Sequence, residues 1–138
     1  MDKKILVIDG QGGQLGSQIV KALIAKFPGI TVTAIGTNAT ATSAMLKAGA
    51  ASGATGENPV IVACRKADII IGPIGIVIAD ALMGEVTPAM AVAVGQADAA
   101  RILIPMNKCE NLVAGVSNLS TSVLIQDAVA KVGQFLGQ

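Results

Sequence analysis

The segment "KILVIDGQGGQLGSQIVKALIAKF", residues 4–27, constrains the fold more than any other part of the chain. It opens with a short apolar run rich in β-branched residues, which is typical of a buried strand. Four glycines follow within seven residues, and apolar residues then recur at helical spacing from Leu15 to Leu23. We therefore predict a strand, a glycine-rich turn and a helix in direct succession, the opening of a βαβ unit.

The same alternation of apolar and amphipathic runs continues along the chain, and it is typical of a parallel sheet that helices cover on both faces. Further strands are predicted at "ITVTAIG", at residues 51–54, at "ADIIIGPIG" and at "ARILIP". Further helices are predicted at "NATATSAMLKAG" after an Asn38 cap, from an Asn58 cap with Pro59 in the first turn, from Thr87 and Pro88 to about residue 97, and in "SNLSTSVLIQDAVAKVGQFLGQ".

Two further segments complete the predicted fold. "GIVIADALMGE" is predicted to begin a helix before Thr87, and the apolar run of residues 69–79 to be buried core. "NLVAGV", residues 111–116, follows the fifth strand too closely for a crossover helix, which favours an antiparallel edge strand reached by a hairpin through "MNKCE". The prediction is one Rossmann-like α/β domain over residues 1–138, doubly wound, with a mostly parallel sheet and a C-terminal antiparallel edge strand.

Composition bears on partners and location. Only 14% of the residues are charged, against roughly 25% in an average globular protein, while 52% are hydrophobic, which favours a homo-oligomer such as a dimer. The net charge of +1 and the 1% of aromatic residues disfavour nucleic acid as a partner. No uncharged apolar run approaches the roughly 20 residues of a membrane span. With two cysteines and no signal for secretion in "MDKKILVIDG", we expect a cytoplasmic protein.

The spacing of the loop glycines predicts a structural role for each of them. Gly10, Gly13 and Gly16 form G-x-x-G-x-x-G, in which the first glycine allows the sharp exit from the strand and the last allows close packing of helix on strand. The middle of such a loop lets backbone amides approach a pyrophosphate at the helix N-terminus. The P-loop is excluded, because no lysine followed by serine or threonine ends the loop. The alternative is a glycine-rich turn that binds nothing.

Through "GQGGQLG" this loop resembles the dinucleotide-binding fingerprint of dihydrodipicolinate reductases and, more distantly, that of extended short-chain dehydrogenases. The resemblance implies that Gly10, Gly13 and Gly16 are the fingerprint glycines and that the amides of Gln14 and Leu15 face a pyrophosphate. Nearly the whole chain, with "GTNATATSAMLKAGA", "GATGEN" and "IIGPIGIVIA", also resembles a short bacterial family labelled a domain of unknown function.

Two more segments belong to the predicted cofactor site. Gly36, Thr37 and Asn38 stand where dehydrogenases have a ribose-binding acid, so we expect NADP rather than NAD, with Asn38 as a plain helix cap the alternative. The loop "IGPIGIV" is expected to line the ligand crevice, or else to pack against another subunit. The predicted cofactor-binding residues are Gly10, Gln11, Gly12, Gly13, Gln14, Leu15, Gly16, Thr37, Asn38, Gly72, Pro73 and Gly75.

Catalytic candidates are few. The chain has no histidine, tyrosine or tryptophan, which excludes a tyrosine–lysine pair, a histidine base and a triad, and no metal site is expected. The compact polar group "PMNKCE" supplies Lys108 and Cys109 as candidates, with a simple hairpin turn as the alternative. Cys64 is predicted to lie in the core, and Asp9 to accept hydrogen bonds from the amides of its own loop.

Three functions follow from these residues. The first is a homo-oligomeric NADP- or NAD-binding protein, as an oxidoreductase or a subunit of one, for which we expect no second domain and a substrate pocket between subunits. The second is a non-catalytic nucleotide-sensing or scaffold module that docks a partner through its apolar surface. The third is a small transferase or isomerase that uses Lys108 and Cys109 on a phosphorylated metabolite. The sequence leaves open whether the protein is an enzyme.

Overall fold

The computed structural model describes residues 2–106 and 111–138. Five parallel strands form one sheet in the order β3-β2-β1-β4-β5. The strands are β1 Ile5–Asp9, β2 Val32–Gly36, β3 Ser52–Thr55, β4 Ile69–Pro73 and β5 Ala100–Ile104. In this order the chain builds outward from β1 to β3 and then crosses to β4 on the other side of β1. The topological switch point of a doubly wound sheet therefore lies between β1 and β4.

Helices cover both faces of the sheet. They are α1 Gln14–Lys26, α2 Ala39–Lys47, α3 Glu57–Lys66, α4 Pro88–Gln96 and α5 Thr121–Phe135, with a short 3₁₀ helix at Ile74–Val77. One apolar core joins α1, α2 and α5 to the sheet, and a second core joins α3 and α4 to its other face. All five residues of β1 and of β4 are buried, which explains the apolar runs Ile5–Ile8 and Ile69–Ile71, and Asp9 is the one charged residue among them.

Several sequence predictions about these elements are confirmed. Asn38 caps α2 by accepting a hydrogen bond from the amide of Ala41, and Thr87 caps α4 in the same way through Met90, with Pro88 in the first turn. Of the apolar run predicted to be core, residues 69–73 are buried in the sheet as expected, whereas residues 77 and 78 are only partly buried and residue 79 is exposed.

Among the described residues, no helix is both long and apolar enough to cross a bilayer.

The predicted antiparallel edge strand is wrong. Every strand pair in the described residues is parallel, and β5 ends the sheet. Residues 111–116 form no strand but lie in the connection from β5 to α5, with Leu112 94% exposed. The connection has to bring α5 back onto the face that α1 covers, where Ile125, Val129 and their neighbours are buried. The hairpin predicted through "MNKCE" falls largely on residues 107–110, outside the described residues.

Two further predictions differ from the structure. The helix expected in "GIVIADALMGE" is only the 3₁₀ helix Ile74–Val77, followed by turns, because three non-glycine residues after it adopt positive φ. The cap of α3 is Gly56 rather than Asn58, since the chain enters the helix at φ 106°, a conformation that favours glycine. Asn58 therefore lies within the first turn of α3.

Candidate functional site

The glycine loop joins the end of β1 to α1 beside the switch point. Its turn is closed by a hydrogen bond of 2.9 Å from the amide of Gly13 to the carbonyl of Gly10. Gln11 and Gly13 both have positive φ, at 50° and 73°, so the chain reverses sharply before α1 begins at Gln14. The strand, turn and helix that the sequence predicts are therefore present, and the N-terminus of α1 faces the C-terminal edge of the sheet.

Three of the four loop glycines are explained by contacts within the protein. A Cβ on Gly10 would lie 2.5 Å from Thr37 Oγ1, and one on Gly16 would lie 2.8 Å from the Cβ of Asp9. A Cβ on Gly13 would lie 2.7 Å from the Cα of Ala41, so this glycine lets α1 pack closely on α2. Substitution of Gly13 would consequently disturb the packing of two helices as well as any ligand.

Gly12 differs from the other three glycines. A Cβ on Gly12 would meet no atom within 4 Å, and the residue is exposed and has an ordinary φ. Within the described residues, the amides of Gly12, Gln14 and Leu15 find no protein acceptor. Unpaired amides at a helix N-terminus are suited to an anion, because the helix dipole adds to their partial positive charge.

Asp9 supports the loop from beneath. Its carboxylate accepts hydrogen bonds of 2.8 Å from the amide of Gly10 and 2.7 Å from the amide of Gly16, and the residue is only 5% exposed. Burial raises the pKa of Asp9 more than these two hydrogen bonds lower it, and the negative charge of Glu85 adds to the rise. The prediction that Asp9 is a structural acceptor for its own loop is confirmed.

Glu85 is the site residue that the sequence did not reveal. Its Oε1 accepts hydrogen bonds from the amide of Gln11 at 2.8 Å, from Thr37 Oγ1 at 2.6 Å and from Asn38 Nδ2 at 2.8 Å. Burial alone would raise the pKa of Glu85, but these three hydrogen bonds together lower it below its ordinary value. Glu85 thus places a carboxylate at the end of β2, where the local sequence has none.

Glu85 reaches this position through an unusual turn, residues 79–86, which we term the strap. Asp80, Leu82, Met83 and Gly84 all have positive φ, between 56° and 88°, and hydrogen bonds such as Asp80 N to Val86 O, at 2.7 Å, close the turn. Left-handed backbone is rare in residues that carry a side chain, so Asp80, Leu82 and Met83 did not indicate the turn. Gly84 was its one sequence signal.

The strap also covers the second predicted loop. Gly72, Pro73 and Gly75 are all buried. A Cβ on Gly72 would lie 2.4 Å from the carbonyl oxygen of Ile8, and one on Gly75 would lie 3.2 Å from the Cβ of Ala81 in the strap. These glycines therefore allow close packing of β4 on β1 and of the strap on the 3₁₀ helix. Because Gly72, Pro73 and Gly75 are buried, the strap lies between them and the open crevice.

The remaining candidates lie away from this edge or outside the described residues. Lys108 and Cys109, with Asn107, belong to residues 107–110 and stay predictions. Cys64 is 3% exposed in the core between α3 and the sheet, as predicted, and burial raises the pKa of its thiol to about 11. That pKa makes Cys64 unreactive at neutral pH.

These features define the chain as an α/β protein with a doubly wound parallel sheet and a glycine loop at its switch point. The chain belongs to the family described as a domain of unknown function, DUF3842, whose model matches residues 4–137. No curated protein matches the chain.

Among solved structures, the chain is similar to a dodecameric FMN-dependent UbiX-like decarboxylase from Escherichia coli O157:H7. The two share 14% identity with a TM-score of 0.45, over 97% of this chain and 94% of the other. A likeness at this level identifies neither a ligand nor a reaction for this chain.

Proposed function

We propose that the chain binds the ADP moiety of a nucleotide at the glycine loop, with NAD rather than NADP as its dinucleotide form. The observation that carries the proposal is the carboxylate of Glu85, which three hydrogen bonds hold between the glycine loop and the end of β2. In doubly wound dinucleotide-binding proteins an acid at this place accepts hydrogen bonds from the ribose hydroxyls.

The phosphate half of the site is the open side of the loop. The unpaired amides of Gly12, Gln14 and Leu15 would hold the pyrophosphate, and the open space at Gly12 would let it approach the backbone. The amide of Gly16 already donates a hydrogen bond to Asp9. The pyrophosphate would therefore bind at the open side of the loop, away from the buried carboxylate of Asp9.

Glu85 favours an unphosphorylated ribose. Its Oε2 accepts no hydrogen bond from the described residues and is free to receive a ribose hydroxyl. A 2′-phosphate at the same place would meet a carboxylate that is ionised at neutral pH, and no lysine or arginine of the described residues forms an ion pair with Glu85. The sequence-based preference for NADP rested on the lack of an acid near Thr37, and Glu85 removes that basis.

The strap favours a binding module over a dehydrogenase. The second half of a dinucleotide would need the crevice beside Gly75, and Ala81 and Leu82 of the strap fill that space. Among our three candidate functions, the geometry therefore supports the nucleotide-sensing or scaffold module best. Turnover of a pyridine nucleotide would require the strap to move.

Calorimetric titration of the purified protein with ADP, NADH and NADPH at matched salt tests this proposal. We expect ADP and NADH to bind through the ADP moiety, with the nicotinamide half of NADH outside the crevice that the strap fills. NADPH should bind at least about tenfold more weakly, because the carboxylate of Glu85 repels its 2′-phosphate. Glu85→Gln should reduce the preference for NADH over NADPH. Failure of all three nucleotides to bind would show that the glycines only turn the chain.

Two glycine substitutions, one in the loop and one outside it, distinguish loss of the nucleotide site from loss of the fold. Gly12→Val should abolish binding, since the branched side chain would occupy the space that the pyrophosphate needs. Gly95→Val in α4 is the matched control, because a Cβ on Gly95 also meets no atom within 4 Å and lies outside the proposed site. Nucleotide binding that survives Gly12→Val would contradict the proposed position of the pyrophosphate.

A further inference from the structure

The outer layer formed by α3 and α4 is unusually apolar for a surface. Ile61, Val62 and Ala63 of α3 are only partly buried, and Val92 of α4 is 53% exposed. The nine residues of α4, "PAMAVAVGQ", include no charged side chain. A helix on the outside of a soluble protein normally carries charges on its solvent face, so this composition indicates a surface that another protein covers.

Grooves run along both sides of α3. One groove, of about 690 Å³, lies between α3 and α4 and includes Ile61, Val92 and Ala93 in its lining. The other, of about 740 Å³, lies between α3 and the open face of β2 and β3, where Thr33 and Ala54 are not covered by a helix. α3 is therefore a raised helix between two largely apolar grooves, and its outer side chains can pack against a helix of a second molecule.

Two of the three charged residues of α3, Glu57 and Arg65, are placed symmetrically about Ile61, and Lys66 follows Arg65. Glu57 lies four residues before Ile61, and Arg65 lies four residues after it. Residues four apart form one ridge on a helix surface. The side chains of Glu57 and Arg65 are exposed, and neither forms an ion pair within the described residues.

This arrangement is complementary to itself when two copies of α3 pack antiparallel. A two-fold axis that passes beside Ile61 places Glu57 of one copy opposite Arg65 of the other, and the reverse, because the residues are equally far from the axis. Val92 is likewise the middle residue of Pro88–Gln96, and α3 and α4 run side by side in the same direction because both join parallel strands on one face. Ile61 and Val92 line the same groove between the two helices, so an axis that lies beside Ile61 and crosses both helices also passes near Val92 and its copy.

We propose that two copies of this chain form an isologous dimer through α3 and α4, with the two-fold axis beside Ile61 and Val92. The apolar ridges fill the centre of the interface, and two Glu57–Arg65 ion pairs between copies set its antiparallel register. The sequence-based expectation of a homo-oligomer concerned only the composition, whereas this proposal names the surface and the geometry. It is independent of nucleotide binding.

Analytical ultracentrifugation of the full chain over a range of concentrations tests the surface. We expect the wild-type chain to sediment as a dimer and Val92→Asp to weaken association at least about a hundredfold, because it buries a charge at the axis. Val123→Asp on α5 is the matched control, since Val123 is 50% exposed on the opposite face of the sheet. A monomeric wild-type chain, or a dimer that Val92→Asp leaves intact, would overturn the proposal.

Charge reversal tests the register without changing the core, because Glu57 and Arg65 are exposed. Each reversal also opposes the dipole of α3, so the stability of every variant is measured by circular dichroism as a control. Glu57→Arg and Arg65→Glu should each weaken the dimer about tenfold, since each puts like charges opposite one another twice per dimer. The double variant should restore association to within about threefold of wild type. Single reversals without effect, or a double variant no tighter than the singles, would exclude the antiparallel α3 pair.

Discussion

At the scale of single residues, two carboxylates determine what the glycine loop can do. Asp9 lies beneath the loop with both oxygens engaged, whereas Glu85 lies beside it with one oxygen engaged. Burial raises the pKa of Asp9, while hydrogen bonds lower that of Glu85. The same side-chain chemistry therefore serves two purposes, since Asp9 fixes the backbone of the loop and Glu85 presents a charge to whatever enters the crevice.

Asp9→Ala should lower the free energy of unfolding by about 2 kcal/mol, because it leaves the amides of Gly10 and Gly16 without an acceptor. Asp9→Asn retains one acceptor oxygen, so its loss should be about half as large. Urea unfolding followed by circular dichroism gives both values. Equal stability of wild type and Asp9→Ala would mean that the loop does not depend on the carboxylate.

The contribution of Glu85 to stability should depend on pH. Its pKa in the folded chain lies below the unfolded value of 4.5, so its ionised form stabilises the fold above that pH. As the pH falls through the folded pKa the contribution is lost. The difference in unfolding free energy between wild type and Glu85→Gln should therefore be constant from pH 7 to about 5 and shrink below 4.5. A difference that grows on acidification would assign the opposite sign to the pKa shift.

At the scale of elements, the strap shows how a local conformation can be costly and still persist. Leu82 and Met83 adopt left-handed backbone at φ 56° and 58°, which costs about 1–2 kcal/mol per residue that carries a side chain. Leu82 is 3% exposed in the core and Glu85 is hydrogen-bonded to the loop, so contacts at both ends hold the turn. Met83 is 94% exposed and contributes no such contact.

Met83→Gly should consequently raise the free energy of unfolding by about 0.5 to 1 kcal/mol, since glycine adopts left-handed backbone without steric cost. Met83→Ala is the matched control, because alanine keeps the strained conformation and should change stability little. Thermal unfolding of both variants measures the effect. If Met83→Gly is no more stable than Met83→Ala, the strap does not store this strain.

The elements that the sequence predicted and those it missed differ in a physical way. The strands and the helices α1, α2, α4 and α5 follow from apolar periodicity and from local caps such as Asn38 and Thr87, which act over a few residues. The strap depends on left-handed residues, and Glu85 is 74 residues from Gln11, to which it bonds. Neither leaves a periodic signal. The position of residues 111–116 was likewise decided by where α5 packs, not by their own apolar pattern.

At the scale of the whole molecule, dimerisation through α3 and α4 would explain two features of the composition. Only 14% of the residues are charged, and α4 carries no charged residue. Association stabilises the folded chain by mass action, because the unfolded chain cannot dimerise. The melting temperature of the wild-type chain should therefore rise by roughly 2–4 °C for each tenfold increase in protein concentration.

Calorimetric scans at three concentrations measure this dependence, and Val92→Asp should remove it because the variant melts as a monomer at every concentration. Val123→Asp, whose substitution lies on the opposite face, should keep the wild-type slope. A slope that all three chains share would place the association on a different surface. If only Val92→Asp loses the rise of melting temperature with concentration, the chain associates through the outer faces of α3 and α4. Burial of these faces in the dimer then accounts for the apolar composition of the chain.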